Sequence, residues 1–275
     1  MSKLVKSNLR WAGGKSRMMD ILEMYMPLVV DKYLETFLGG GSVLLHIIQR
    51  FNPKEIYAND IDTNLVNYYQ EVQRNPQTLM ENLTLMKEKY DEVGFKEVFS
   101  KLDRGTAAGF FAANKSSFSG LNHNYSSNAF QKNFTLNSID TIGKISDIIR
   151  NVHLLNSDFM NLESKMETPI QGFFIYLDPP YYGNRKKGLY GKKGELHSGF
   201  DHLGMFEWVE SHKGDNKIMI SYDDDAFIRE LYKDYNIYDF GFTYTMTNTG
   251  GNRCKQGKEI VITNYDIPIA EPQLF

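Results

Sequence analysis

The sequence predicts an α/β fold built on a doubly wound, mostly parallel sheet, and three observations predict it. Short apolar runs alternate with helical stretches along most of the 275 residues. A glycine turn, Gly39-Gly40-Gly41, joins one such run to an apolar helix. A fully apolar run, Phe173-Phe174-Ile175-Tyr176-Leu177, stops at Asp178-Pro179-Pro180-Tyr181. Ligands in open α/β sheets bind beyond the carboxyl ends of the strands, where this tetrad falls.

The elements follow in order. Arg10-Trp11-Ala12-Gly13-Gly14-Lys15-Ser16-Arg17 is a glycine turn leading into an amphipathic helix over 18–26, closed by Pro27. A short strand over 33–37 precedes the glycines, and a helix over 43–51 follows them, ended by Pro53. Glu55 to Asp60 is a second strand with an acid at its end. Residues 64–104 are helical, with Leu65, Tyr68, Tyr69 and Val72 on one face. From Asn114 to Asn137, Asn, Ser, Gly and aromatics dominate, which predicts a long polar loop able to read base edges. Strands are then expected at 153–155, 173–177 and 217–221, and helices at 203–210 and 226–233. Residues 236–246 and 258–265 read as a closing antiparallel pair.

Composition narrows the function. With 41% hydrophobic and 24% charged residues, the chain has an ordinary globular balance. The one cysteine, Cys254, excludes an internal disulfide. The opening Met1-Ser2-Lys3-Leu4-Val5-Lys6 lacks an apolar secretory core, and no apolar run approaches a membrane span, so an intracellular, cytoplasmic protein that does not enter the membrane is expected. A net charge of −3 argues against a nucleic-acid coat protein. Basic residues nevertheless cluster at Arg185, Lys186, Lys187, Lys192 and Lys193, and at Arg253, Lys255 and Lys258. Such runs are often solvated loops, but beside the Asp178 strand they are candidates for phosphate contact.

The tetrad Asp178-Pro179-Pro180-Tyr181 suits methylation of an exocyclic amino group on a planar base. That nitrogen is a weak nucleophile because its lone pair is delocalised into the ring. A carboxylate and a rigid prolyl carbonyl accepting its two N–H bonds favour a pyramidal, more nucleophilic nitrogen. An aromatic ring stacks on the base. The plainer reading is a turn that stops a strand. The glycine loop lacks the Gly-x-Gly-x-x-Gly of dinucleotide sites, which disfavours a nucleotide-dependent oxidoreductase. Asp60, 25 residues after Glu35, can accept hydrogen bonds from a ribose.

Four segments, Arg10 to Lys15, Glu35 to Ser42, Asn59-Asp60-Ile61-Asp62 and Asp178 to Tyr181, occur in this order and resemble the Dam-type DNA adenine methyltransferases, alpha class, over nearly the whole chain. The resemblance implies a Rossmann-like methyltransferase sheet with an inserted, mostly helical target-recognition domain. The catalytic, cofactor-binding part would be 1–64 plus 142–275 and the insert 65–141. It implies S-adenosylmethionine as methyl donor, S-adenosylhomocysteine as product, and no metal. Trp11, Lys15, Glu35, Phe37, Gly39, Asp60, Ile61, Asp158, Phe159 and Asp178 would border that cofactor. Asp178, Pro179, Pro180 and Tyr181 would hold an adenine extruded from double-stranded DNA. The expected source is prokaryotic or viral. A monomer is expected, with a cognate restriction endonuclease for the same site as candidate partner. Methylation of the cytosine 4-amino group is the nearest alternative; a catalytically silent DNA-binding module is the other.

One segment departs from the family. Members that recognise GATC carry Phe-Asn-Gly-Leu-aromatic-Arg, where this chain has Phe118-Ser119-Gly120-Leu121-Asn122-His123. Histidine cannot reproduce the bidentate guanine contact of arginine. A target other than GATC is therefore expected, read chiefly between Asn114 and Asn137, with Asn122, Asn124, Asn128 and Gln131 as candidates for adenine edges and His123 at the family's guanine-reading position; Lys186 and Lys255 are expected on the phosphates, and Lys115 and Arg253 are further DNA-contact candidates.

Overall fold

A computed structural model describes residues 4–90, 92–182, 199–243 and 256–267. The chain divides into two compact units, 1–17 with 37–165 and 18–36 with 166–275. Its strands are β1 (Lys32–Glu35), β2 (Glu55–Asp60), β3 (His153–Asn156), β4 (Phe174–Leu177), β5 (Lys217–Asp223), β6 (Asn236–Thr243) and β7 (Gln256–Thr263). They form one seven-stranded sheet in the order β3-β2-β1-β4-β5-β7-β6. The order reverses at β1 and β4, the topological switch of a doubly wound sheet.

In the first unit, β2 and β3 pair in parallel, Tyr57 opposite His153 through Asp60 opposite Asn156. The helices are α2 (Ser42–Phe51), α3 (Thr63–Arg74), α4 (Pro76–Lys89), α5 (Glu92–Phe99), α6 (Ala107–Ser116), α7 (Ser127–Asn133) and α8 (Leu136–Ile149). Five of these starts have a local cause in the sequence. Asp62 accepts from the Asn64 and Leu65 amides at the head of α3, and Pro76 opens α4. Thr106 caps α6, Ser126 caps α7, and Thr135 with Ser138 forms a capping box on α8. The expected α3 face, Leu65, Tyr68, Tyr69 and Val72, is fully buried. It packs with Phe110 and Phe111 of α6, whose ring centroids lie 5.7 and 5.8 Å from Tyr68.

The long loop over 114–137 is largely absent. α6 runs to Ser116, and α7 and α8 begin at Ser127 and Leu136. The Ser and Thr residues there act as helix caps, and Phe130 and Phe134 are buried against Phe95 at 4.8 and 5.4 Å. Only a tight turn over 117–126 remains, closed by a bridge between Ser117 and Tyr125.

In the second unit β1, β4 and β5 are parallel, and β7 and β6 add antiparallel strands. β4 is buried throughout, as its apolar run requires. The helix expected over 18–26 is instead one turn, α1 (Met19–Leu22), between two 3-10 turns at Lys15–Arg17 and Glu23–Tyr25. Among the described residues the unit also carries α9 (His202–His212) and α10 (Ala226–Leu231), capped by Asp201 and Asp225. Among the described residues no helix is long and apolar enough to cross a membrane.

Candidate active site

The glycine loop of the first unit is folded back on the acid of β2. The Gly39 amide donates to Asp60 Oδ2 at 2.8 Å, and the Asp62 amide donates to Oδ1 at 2.9 Å. Leu38 N–H reaches the Asn59 carbonyl at 2.8 Å. Asp60 is buried, and that burial raises its carboxyl to about 6 against the opposing pull of these amide bonds. Gly39 and Gly41 have φ of 49° and 66°, the left-handed region that favours glycine. Their neighbours also demand glycine. A Cβ on Gly39 would lie 2.8 Å from Trp11 Nε1, one on Gly40 2.8 Å from Trp11 Cβ, and one on Gly41 2.5 Å from the Tyr69 hydroxyl oxygen.

The same unit carries other residues expected at a cofactor. Phe37 and Phe159 approach with ring centroids 5.4 Å apart. Ile61 is 48% exposed directly after Asp60. Asp158 is spent locally on the Met160 amide at 2.9 Å, which starts the 3-10 turn carrying Phe159. Lys15 is buried, with its ammonium 3.1 Å from the Gly13 carbonyl. Sequence reasoning missed two asparagines. Asn59 exchanges two bonds with the Ser157 backbone, and the Asn156 amide donates to the Asp60 carbonyl at 2.8 Å. They lock the ends of β2 and β3 together, so the Asp60 and Phe159 segments are held in fixed register. The donor set fits an adenosyl ligand: a carboxylate for a ribose diol, and Ile61 and aromatic rings for a purine.

The second unit carries the tetrad at the carboxyl end of β4. Asp178 is half-buried, Pro179 buried, and Pro180 and Tyr181 half-buried. Ser221 Oγ donates to Asp178 Oδ1 at 2.9 Å, and Tyr176 Oη lies 2.8 Å from the same serine oxygen. The Tyr181 hydroxyl donates to the buried Glu259 carboxylate at 3.0 Å. Glu35, at the end of β1, is also buried and accepts from Tyr33 Oη at 2.8 Å. Sequence reasoning did not find Ser221, Tyr176 or Glu259.

The matching family profile is that of the D12 class N6 adenine-specific DNA methyltransferases, which covers residues 11–246. The chain belongs to that family. As a D12-class enzyme it acts on the adenine amino group, which decides between adenine and cytosine. It is 29% identical to the Type II methyltransferase M1.LlaDCHI of Lactococcus lactis subsp. cremoris, over 94% of this chain and 97% of that one. It is 27% identical to M.MjaIII of Methanocaldococcus jannaschii, over 95% and 99%. A third relative is M.CviBI of Paramecium bursaria Chlorella virus NC1A, at 24% over 95% and 100%.

The turn that this D12-class methyltransferase carries over 117–126 holds the expected base-reading residues. Phe118 N–H bonds the Asn124 carbonyl at 3.1 Å, and the Asn122 amide bonds Ser117 Oγ at 3.0 Å. Ser119 and Asn122 have φ of 53° and 61°. His123 and Asn124 are exposed, and Phe118 stands 70% exposed. Buried Asn114 ties the turn to the N-terminal segment, accepting from Arg10 N–H at 2.9 Å and donating to the Arg10 carbonyl at 2.8 Å. Lys115 is 6% exposed, and its ammonium lies 5.3 Å from the Phe111 ring centroid. Burial, then the charge of Arg10, lowers its pKa to about 8. Lys186, Arg253 and Lys255 lie outside the described residues.

Proposed function

We propose that this DNA adenine methyltransferase binds S-adenosylmethionine at the Asp60 loop and holds an extruded adenine at Asp178. The observation that carries the reading is the half-buried Asp178 at the carboxyl end of β4, beside the β1–β4 switch. Bound S-adenosylmethionine supplies an electrophilic methyl group on a sulfonium. Asp60 accepts from the ribose hydroxyls, while Ile61, Phe37 and Phe159 enclose the purine. Trp11, Lys15, Glu35, Gly39 and Asp158 shape or flank that pocket. Asp178 and the Pro179 carbonyl accept the two amino hydrogens of adenine, Pro180 stiffens the turn, and Tyr181 stacks on the ring. Asp178 also stands ready to receive the proton the nitrogen sheds.

The partner is double-stranded DNA from which the target base is flipped. The exposed turn, through Asn122, His123 and Asn124, reads base edges. Arg10 and Lys115 form no ion pair among the described residues, so the foot of the turn is positively charged and draws a phosphate. Lys186, Arg253 and Lys255 add phosphate contacts. The 65–141 segment serves as the target-recognition domain and 1–64 with 142–275 as the catalytic domain. The enzyme acts as an intracellular monomer alongside a restriction endonuclease of the same specificity, and its site differs from GATC.

The test is direct. Plasmid DNA free of adenine methylation is incubated with the protein and methyl-labelled S-adenosylmethionine, then digested to nucleosides. Label in N6-methyldeoxyadenosine is expected. Label confined to N4-methyldeoxycytidine, or no labelled nucleoside, would sink the proposal.

A further inference from the structure

We infer that Ser221, backed by Tyr176, is a positioning residue that fixes the Asp178 carboxylate for the target amino group. The inference rests on the reading of Asp178 proposed above. β4 and β5 pair in parallel with Leu177 opposite Ile220, so the next residues along, Asp178 and Ser221, emerge side by side. Ser221 is buried in an otherwise apolar stretch, Ile218-Met219-Ile220. An unpaired hydroxyl there would be destabilising, and it is not unpaired. It lies 2.9 Å from Asp178 Oδ1 and 2.8 Å from Tyr176 Oη.

The direction of this chain is determined. An ionised carboxylate only accepts, so the single Ser221 hydrogen goes to Asp178. The serine oxygen must then accept from Tyr176. Burial, then the charge of Asp178, raises the Tyr176 phenol far above its usual range, so it stays a donor. The result is a one-way relay, Tyr176 O–H to Ser221 O–H to Asp178. Successive bonds in a low-dielectric interior polarise and strengthen one another. Oδ1 is thereby held in place, which restricts rotation of the carboxylate.

Single-turnover methyl transfer to unmethylated plasmid DNA tests this. Ser221→Ala should slow transfer about 10- to 100-fold, the loss expected for one hydrogen bond to a charged group. It should leave the dissociation constant for duplex DNA unchanged. Ser221→Thr keeps the hydroxyl and should restore the rate. Tyr176→Phe should slow the native enzyme and add nothing on top of Ser221→Ala. If Ser221→Ala loses its native circular dichroism, Ser221→Cys, a weak donor of similar size, carries the same expectation. A wild-type rate in Ser221→Ala or Ser221→Cys would overturn the inference, as would a Ser221→Thr variant as slow as Ser221→Ala or fully additive losses in the double variant. Asp178→Asn run alongside separates the layers. If that variant is dead while Ser221→Ala is normal, only the Ser221 inference fails. If it keeps the wild-type rate, the reading of Asp178 fails.

Discussion

The Tyr181 hydroxyl donates to Glu259 at 3.0 Å, joining a residue just beyond β4 to a buried carboxylate on β7. The ring of Tyr181 is thus held at its outer end as well as at its backbone. A ring fixed at both ends presents one face at a set angle, which is what stacking on a flipped base requires.

Tyr181→Phe keeps the face and loses the anchor. It should slow single-turnover transfer by about tenfold while DNA affinity holds, since one hydrogen bond is lost and no stacking area. Tyr181→Ala should weaken DNA binding as well, by about 1–3 kcal/mol, the range for a base–aromatic stack. Equal behaviour of the two variants in rate and in filter-binding affinity would show that the Glu259 anchor has no functional part.

Asp60 predicts a pH dependence with opposite signs for binding and stability. Its carboxyl titrates at about 6 in the ligand-free fold. A ribose hydroxyl bond favours the ionised form, so the complex holds fewer protons and cofactor affinity falls as pH drops below about 6, by at most about tenfold per unit. Stability behaves the other way. The folded value lies above the unfolded 3.8, so the Asp60 contribution is fully present below the unfolded value and is lost as pH rises through about 6. Calorimetry with S-adenosylhomocysteine should give a sloping affinity below about pH 6 for the native protein. Asp60→Asn should bind more weakly with no slope. A native affinity independent of pH across that window would remove Asp60 from the ribose.

The sequence carried this site unevenly. The strand Glu55–Asp60 and the alternation around it were readable, because a short apolar run, Ile56-Tyr57-Ala58, lies between Pro53 and Asn59-Asp60. The antiparallel pair at the end was readable because two strand-like runs flank a glycine-bearing loop. The stretch 18–26 was not, because a helical spacing of apolar residues does not reveal that the chain breaks into single turns. In 114–137, Ser126 and Thr135 cap helices, a role that composition does not separate from that of loop residues, while the helical spacing of Ile139, Ile142, Ile145 and Ile149 marks α8. Partners such as Ser221 for Asp178, 43 residues away, leave no local pattern at all. Strand register alone brings them together.

Gly41 makes a sharper test of the glycine loop than Asp60 does. Its φ is 66°, and a Cβ there would meet the Tyr69 hydroxyl at 2.5 Å, while that hydroxyl donates to the Gly40 carbonyl at 2.8 Å. Gly41→Ala therefore combines left-handed strain of about 1–2 kcal/mol with a steric clash of about 1–3 kcal/mol. Tyr69→Phe removes the clashing oxygen and costs about 1 kcal/mol for its hydrogen bond. The double variant should lose less than the sum of the single losses in urea unfolding, since the clash is relieved. Strict additivity would mean that Tyr69 does not constrain the loop.

In the proposed target recognition, the turn over 117–126 separates two roles. Phe118 is an exposed aromatic on a hydrogen-bonded frame, with Asn124 fixed opposite it by its backbone. A rigid exposed ring suits insertion into the base stack beside the flipped nucleotide, a role that tolerates any sequence. Asn122 and Asn124 carry amides that match adenine edges. Phe118→Ala should reduce transfer on every substrate alike. Asn124→Ala should instead relax preference at one position, by about 1–3 kcal/mol if its contact is bidentate. Lys115 adds a pH signature: with its pKa near 8, DNA affinity should fall as pH rises through about that value, and Lys115→Met should flatten the fall. The methylome of cells expressing each variant reads the first two effects, and filter binding across pH reads the third. Modification confined to GATC would refute the assignment of this turn, because neither His123 nor the asparagines supply the fork that guanine requires.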